Sequence, residues 1–147
     1  KKLIDFLEEN KGSSLVFEGF PRLMEQIKPF EDILKNHNII LDKVIFIDID
    51  KDIALKRVTG RLICNNCNEV YNKYNDNIED NKCKVCGNIL STRNDDKVET
   101  YENRYKLFKE KTMPVVEYYK EMSNFYQISN NGTFDEMKSQ IDNIMGN

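Results

Sequence analysis

Two Cys-x-x-Cys pairs constrain the fold of this chain more than any other feature of its sequence. Cys64 and Cys67 form the first pair, and Cys83 and Cys86 form the second after 15 intervening residues. This spacing is typical of zinc ribbons, in which two knuckles direct four sulfur atoms to one tetrahedral ion. Two disulfides are the alternative. We favour zinc because an acidic, lysine-rich chain without an export signal is expected in a reducing compartment.

The metal is expected to be structural, because four cysteine ligands leave no coordination position for a substrate or for water. The surrounding residues, 62–92, are rich in asparagine and lysine and lack apolar periodicity. Such a segment is too polar to fold around a core of its own, so the ion would have to order it. The sequence therefore predicts a small zinc-ribbon module at 62–92, which we call the insert, between two parts of a core at 1–61 and 93–147.

The composition predicts a cytoplasmic protein rather than one that binds membranes or nucleic acid. Hydrophobic residues make up 39% of the 147 residues, and the formal net charge is -3. The chain has no apolar run of the ~18 residues that a membrane span requires. Its net negative charge argues against a broad basic surface that binds nucleic acid. Any anion site is therefore expected to be local.

Outside the insert, apolar patterns alternate between strand and helix. Strand-like runs occupy 14–17, 44–49 and 125–129, and segments of helical periodicity separate them. The run at 44–49 is nearly continuous, which is typical of a parallel strand buried on both faces. The alternation predicts an α/β fold, with a mainly parallel sheet of three visible strands flanked by helices.

Two helices are predicted after the insert. Asp96 and Glu99 resemble a capping box that begins a long helix, and Pro114 is expected to bend it. A closing amphipathic helix follows the turn at Asn131-Gly132. Its apolar face is predicted to contain Phe134, Met137, Ile141, Ile144 and Met145.

Arginine is scarce in this chain and is placed where a phosphate could be bound. The five arginines among 22 basic residues are Arg22, Arg57, Arg61, Arg93 and Arg104. The planar guanidinium suits bidentate contact with phosphate. Gly19-Phe20-Pro21-Arg22, with Gln26 one helical turn later, follows a predicted strand, where α/β sheets place their ligands. An ordinary strand-to-helix turn is the alternative. The other four arginines flank the insert in pairs and could stabilise transferring phosphates when the insert closes.

The order of these motifs resembles that of the adenylate kinases with a zinc-binding lid. The motifs are G-F-P-R-x-x-x-Q, R-x-x-G-R, the doubled C-x-x-C and T-R-x-D-D, and they cover essentially the whole chain. The resemblance implies a P-loop-kinase-like fold, with the insert as the lid. It also implies a nucleoside monophosphate kinase that converts ATP and AMP into two ADP with Mg²⁺, as a monomer when complete.

The resemblance further implies a role for individual residues. Those at the AMP site would be Gly19, Phe20, Pro21, Arg22, Gln26, Arg93 and Arg104. Those at the ATP site would be Arg57, Arg61, Val70, Tyr71 and Phe134. The catalytic arginines would be Arg57, Arg61, Arg93 and Arg104. The zinc ligands would be Cys64, Cys67, Cys83 and Cys86.

The sequence departs from the family pattern at two points. Glu18 stands where the family usually has an aspartate near magnesium-bound water. The pattern G-x-x-x-x-G-K-[ST] does not occur in the sequence, so a phosphate-binding loop with its lysine is expected upstream of Lys1. The present chain alone is therefore expected to be inactive. A noncatalytic zinc-ribbon binding module on an α/β scaffold is the alternative function.

Overall fold

The computed structural model describes residues 2–146, which form a mixed α/β fold. In chain order the elements before the insert are α1 (Lys2–Glu9), α2 (Met24–Asn36), β1 (Val44–Asp48) and α3 (Lys51–Thr59). Those of the insert are β2 (Arg61–Cys64), β3 (Val70–Asn72) and β4 (Leu90–Ser91). Those after it are α4 (Val98–Leu107), a π-helical turn (Phe108–Thr112), α5 (Met113–Lys120), β5 (Phe125–Ser129) and α6 (Phe134–Met145).

A two-stranded parallel sheet lies at the centre of the core. β1 pairs with β5 in a register that runs from Val44 opposite Phe125 to Asp48 opposite Ser129. Helices α2 and α5 cover one face of this pair, where the buried residues are Ile27, Val115 and Tyr119. The predicted strands at 44–49 and 125–129 are thus confirmed. The predicted burial of β1 on both faces is wrong, because its carboxyl end, including Ile47, is exposed.

The prediction of a strand at 14–17 is wrong. These residues have no regular secondary structure, and the described part of the chain offers them no paired strand. An apolar run becomes a strand when it finds a partner for its backbone N–H and C=O groups, and the sequence pattern cannot supply that partner. The segment is held instead by aromatic packing, in which Phe17 and Phe20 each meet the ring of Phe30 edge to face at 5.2 Å.

The long helix predicted after the insert is confirmed, and it changes from α-helical to π-helical and back. The π-helical turn lies between α4 and α5 and ends two residues before Pro114. Proline has no N–H for the carbonyl four residues earlier, so a regular α-helical ladder is interrupted at this point. The predicted capping box is also wrong: Lys97 occupies the cap position, and the Asp96 side chain is buried and faces Arg61.

Helix α6 begins and ends with strong local signals. Thr133 Oγ1 accepts a hydrogen bond from the backbone N–H of Glu136, and the Glu136 carboxylate accepts one from the N–H of Thr133. Gly146 ends the helix with φ 82°. The predicted helix is confirmed, but its apolar face is half-buried or exposed in the described structure, with Phe134 70% exposed.

The insert has its own antiparallel sheet and its own apolar cluster. Its strand order is β3-β2-β4, with Leu62 opposite Tyr71 and Cys64 opposite Leu90. The cluster consists of Leu62, Cys64, Tyr71, Cys83 and Leu90. Two of these five residues are cysteines of the doubled motif, so packing alone gives the insert a very small core. Among the helices that the structure describes, none is long and apolar enough to cross a membrane.

The helix–sheet packing of the core can be tested by removing one side chain. Ile27 on α2 is 4% exposed, whereas Ile40 is 87% exposed. Replacing Ile27 by alanine is expected to lower the free energy of unfolding by about 2–5 kcal/mol, because it leaves a cavity between α2 and α5. The matched Ile40→Ala variant should stay within about 0.5 kcal/mol of the unchanged protein. Urea unfolding measures both, and equal losses would contradict this description of the core.

Candidate functional site

The four cysteine sulfur atoms converge at one end of the insert. They lie within 4.8 Å of one another, with Cys64 Sγ 3.3 Å from Cys86 Sγ and Cys67 Sγ 3.5 Å from Cys83 Sγ. None of these cysteines is in a disulfide. Four thiol groups at this separation form a donor set that fits one tetrahedral metal ion. The sequence prediction of a four-cysteine cluster is confirmed.

Each Cys-x-x-Cys pair is folded into the same tight turn. The carbonyl of Cys64 accepts a hydrogen bond from the N–H of Asn68, and the carbonyl of Cys83 accepts one from the N–H of Gly87, both at 2.8 Å. Asn68 and Gly87 both have positive φ, at 60° and 76°. Glycine and asparagine adopt this conformation at least cost, which explains why these residue types close the two knuckles.

Hydrogen bonds favour the thiolate form of the second pair. The Tyr71 hydroxyl lies 3.4 Å from Cys83 Sγ and is the main cause that lowers the pKa of this thiol to about 6. The pKa of Cys86 is also lowered, first by the backbone N–H of Asn88. Thiolates are the form of cysteine that binds metals. In the first pair, burial and hydrogen bonds to the neighbouring thiols raise the pKa of Cys67 to about 12, so the pKa shifts of the cluster do not all favour the thiolate.

Arg57 joins helix α3 to the loop that precedes α6. Its guanidinium donates hydrogen bonds to the carbonyl oxygens of Asn130 at 2.6 Å and Gly132 at 2.7 Å. It also reaches the side-chain oxygen of Asn130 at 3.1 Å and the carbonyl of Asn131 at 3.4 Å. The same loop is tied to the amino-terminal end of α3, where Asn131 Oδ1 accepts from the N–H of Asp50. Arg57 therefore holds the loop leading to Phe134.

Arginine–aspartate pairs lie at both junctions between the insert and the core. Arg61 Nε is 3.3 Å from an oxygen of Asp96, whose side chain is 2% exposed. Arg93 Nε is 3.3 Å from Asp95, and both of these side chains are about half exposed. A buried carboxylate requires a partner, so the Arg61–Asp96 pair is the stronger constraint. It links the first strand of the insert to the chain that leaves the insert.

The Gly19–Arg22 segment folds against the start of α2. Arg22 Nε donates to the carbonyl of Gly19 at 2.6 Å. Gly19 has φ 68°, and a Cβ at this position would lie 2.5 Å from Arg22 Nη2, so a larger residue would displace the arginine. Gln26 Oε1 accepts from the N–H groups of Arg22 at 2.8 Å and Leu23 at 3.1 Å. The amide nitrogen of Gln26 then remains as a donor for a ligand.

The other predicted site residues differ in their surroundings. Arg104 is exposed on α4, and it makes no hydrogen bond or ion pair within residues 2–146. Val70 and Phe134 are exposed, whereas Tyr71 is buried in the apolar cluster of the insert. The structure thus brings the four cysteines together and brings Arg57 to the loop before Phe134. No hydrogen bond or ion pair joins the Arg22 segment to Arg93 or Arg104 among the described residues.

Two contacts of the site were not predicted from the sequence. The first is the hydrogen bond between Tyr71 and Cys83, and the second is the set of Arg57 bonds to the carbonyls of 130–132. Both connect residues that are distant in sequence, so periodicity and motif spacing give no signal for them. The Arg61–Asp96 pair had a weak signal, because R-x-x-G-R and T-R-x-D-D flank the same insert.

Comparison with known proteins agrees with this combination of fold and site. The family model described as adenylate kinase matches residues 2–124. The adenylate kinase of Thermosipho africanus is 33% identical over 139 residues, which cover 94% of this chain and 65% of that protein. The adenylate kinase of a Hydrogenobaculum species is 34% identical over 146 residues, which cover 96% of this chain and 67% of that protein. The adenylate kinase of Rickettsia conorii is 36% identical over 138 residues, which cover 92% of this chain and 62% of that protein.

The parallel sheet with its flanking helices fits a P-loop-kinase type of α/β fold, and the four cysteines of the insert are compatible with a metal-binding lid. The matched residues extend through the glycine–arginine segment, the insert and both arginine pairs. The chain belongs to the adenylate kinase family. It spans about two thirds of the length of the curated relatives it matches.

Removing a metal from the insert is expected to unfold the insert while leaving the core folded. The insert has five buried residues in its cluster, and two of them are candidate ligands, so we expect packing alone to be insufficient to keep it folded. Hydrogen exchange after addition of a chelator should increase across the insert, 62–92, and change little in α5 and β5. A Cys86→Ser variant, which lacks one ligand, should be less protected in the insert before chelation. Unchanged exchange in the insert would contradict a structural metal there.

Proposed function

We propose that this protein is a nucleoside monophosphate kinase of the adenylate kinase type, which transfers a phosphoryl group reversibly from ATP to AMP. A phosphate oxygen of AMP attacks the γ-phosphorus of ATP, the bond from that phosphorus to the β,γ-bridging oxygen breaks, and two ADP result. Family membership over residues 2–124 carries this proposal. The arginine at each junction of the insert supports it, because phosphoryl transfer depends on positioning and charge stabilisation.

The Gly19–Arg22 segment and Gln26 are proposed to bind AMP. The backbone at Gly19 accommodates the Arg22 guanidinium at close range, which fixes the direction of this cation. Gln26 is fixed in turn, because its oxygen accepts from two backbone N–H groups. Its amide nitrogen is available to donate to an acceptor on the purine edge. Phe20 and Pro21 complete the segment, and Arg93 and Arg104 would contact the phosphate.

The loop before α6 is proposed to form part of the ATP site. Arg57 holds this loop through its carbonyls, and Phe134 follows at the exposed start of α6. Arg61 uses Nε for Asp96, which leaves the two terminal nitrogens of its guanidinium for a phosphate. The backbone of Val70 and Tyr71 on β3 would approach ATP when the insert closes.

Zinc is the metal that the insert is proposed to bind, and Mg²⁺ is proposed to accompany ATP. The converging sulfur atoms fit zinc bound by Cys64, Cys67, Cys83 and Cys86. Zinc would hold the insert folded as a lid over residues 62–92, between core parts at 1–61 and 93–147. Mg²⁺ bound to the phosphates would neutralise charge on ATP. We propose that the protein acts as a cytoplasmic monomer on free nucleotides.

Replacing Arg93 or Arg104 by alanine in the full-length gene product tests the proposed reaction. Each replacement removes a cation that would stabilise charge on the transferred phosphoryl group, so turnover should fall by about a hundredfold or more. Both side chains are substantially exposed, so the melting temperature should change little. ADP formation from ATP and AMP in a coupled assay measures the effect.

The Lys106→Ala variant is the matched control for Arg104→Ala, because Lys106 is also an exposed cation on α4. It should retain nearly normal turnover. Near-normal turnover in both arginine variants would refute their assignment. Absence of ADP formation by the unchanged full-length protein would refute the reaction itself.

Replacing Arg57 tests the proposed role of the loop before α6. Arg57→Ala removes hydrogen bonds from a charged donor to the carbonyls of Asn130 and Gly132, and each bond of this kind contributes about 1.5–3 kcal/mol to the free energy of unfolding. The KM for ATP should rise more than the KM for AMP. Arg57→Lys should restore little, because one ammonium group cannot span these carbonyls. An equal rise in both KM values would contradict a local role at the ATP site.

A further inference from the structure

Tyr71 lies inside the insert, with its hydroxyl against one of the four cysteines. The residue is 8% exposed, and its backbone pairs with Leu62 on the neighbouring strand. Its hydroxyl oxygen lies 3.4 Å from Cys83 Sγ and 3.0 Å from the backbone nitrogen of Lys84. Neighbouring Val70 on the same strand is exposed. Strand alternation therefore directs the Val70 side chain outward and the Tyr71 side chain toward the cysteines.

The direction of the hydrogen bond to Cys83 follows from the chemistry of the two groups. The N–H of Lys84 donates to the tyrosine oxygen, so this oxygen already acts as an acceptor. A cysteine bound to a metal is a thiolate and carries no proton. The hydroxyl proton of Tyr71 is then the one available for the sulfur. The contact is a charge-assisted hydrogen bond from a neutral donor to a thiolate.

We propose that Tyr71 is a positioning residue of the metal centre, which fixes Cys83 and stabilises its thiolate through the tyrosine hydroxyl. This inference rests on the proposed binding of zinc by the insert. It also changes the expected role of Tyr71 at the ATP site, because its buried side chain is committed to the cysteine cluster. Contact of this strand with ATP would come from the backbone and from Val70.

The strand that carries Tyr71 also connects the metal centre to the arginines at the junction. Asn72, the next residue, pairs with Arg61, and its side-chain amide donates to the carbonyl of Arg57 at 3.1 Å. Strand β3 therefore contacts Cys83 through Tyr71 and the segment that holds both arginines through Asn72. Loss of the hydroxyl should weaken metal binding first, since the contact with the ligand is direct.

The test compares Tyr71→Phe with Tyr74→Phe in the full-length protein. Phenylalanine keeps the ring of Tyr71 in the apolar cluster and removes the hydroxyl alone. Tyr74 is the matched control, because it is also a tyrosine of the insert and its hydroxyl makes no hydrogen bond in the part of the chain described. Its ring contacts with Lys56 and Lys73 do not need the hydroxyl. The probes are zinc release to a chromophoric chelator and the absorption of the cobalt(II)-substituted protein.

Tyr71→Phe is expected to weaken zinc binding by about tenfold to a hundredfold, as loss of a hydrogen bond to a metal ligand typically does. Its sulfur-to-cobalt charge-transfer band should move to lower energy, because the thiolate loses a stabilising donor. Tyr74→Phe should match the unchanged protein in both measurements. Equal zinc affinity and an unmoved band in Tyr71→Phe would overturn the role of Tyr71. If the unchanged protein gave no tetrathiolate cobalt spectrum, the proposed metal binding would fail, and this inference with it.

Discussion

The convergence of four sulfur atoms within 4.8 Å is the constraint on which the insert depends. Four thiolates at this distance would repel one another, and the cluster around them contains few other buried side chains. A bound cation would reverse that repulsion and link the two knuckles, whose backbone turns already have matching geometry. The short strands β2, β3 and β4, each of at most four residues, would then be fixed relative to one another.

The arginines at the junction between the insert and the core differ in which guanidinium nitrogens make contacts and in what those nitrogens contact. Arg61 and Arg93 are each held through Nε by an aspartate from the same T-R-x-D-D segment. Contact through Nε orients the guanidinium and leaves its terminal nitrogens for other acceptors. Arg57 differs, because its terminal nitrogens contact backbone carbonyls. The family motif therefore contains arginines of different kinds, which sequence spacing alone cannot separate.

Sequence reasoning succeeded where the information is local. The cysteine pairs, the β-branched run at 44–49 and the amphipathic pattern of α6 each lie within a short segment, and each forms the predicted feature. It failed where a residue depends on a distant partner. The run at 14–17 has strand-like composition but no paired strand among the described residues. Asp96 lies in a sequence typical of a helix cap, but its side chain forms an ion pair with Arg61. Tyr71 was assigned by its motif position, whereas its hydroxyl contact depends on how the knuckles fold against β3.

The contacts of Arg57 have a consequence for the electrostatic field around the protein. Carbonyl oxygens solvate a guanidinium as dipoles and do not cancel its charge, whereas the aspartates beside Arg61 and Arg93 do. Among the described residues, no carboxylate pairs with Arg57. A full positive charge therefore persists beside the loop of 130–132 in a chain whose net charge is -3. Its field extends over a Debye length of about 8 Å at physiological salt, and the Glu136 carboxylate, which lies against Gly132, opposes it on the far side of the same loop. The attraction of Arg57 for a polyanion is therefore confined to the immediate neighbourhood of the loop.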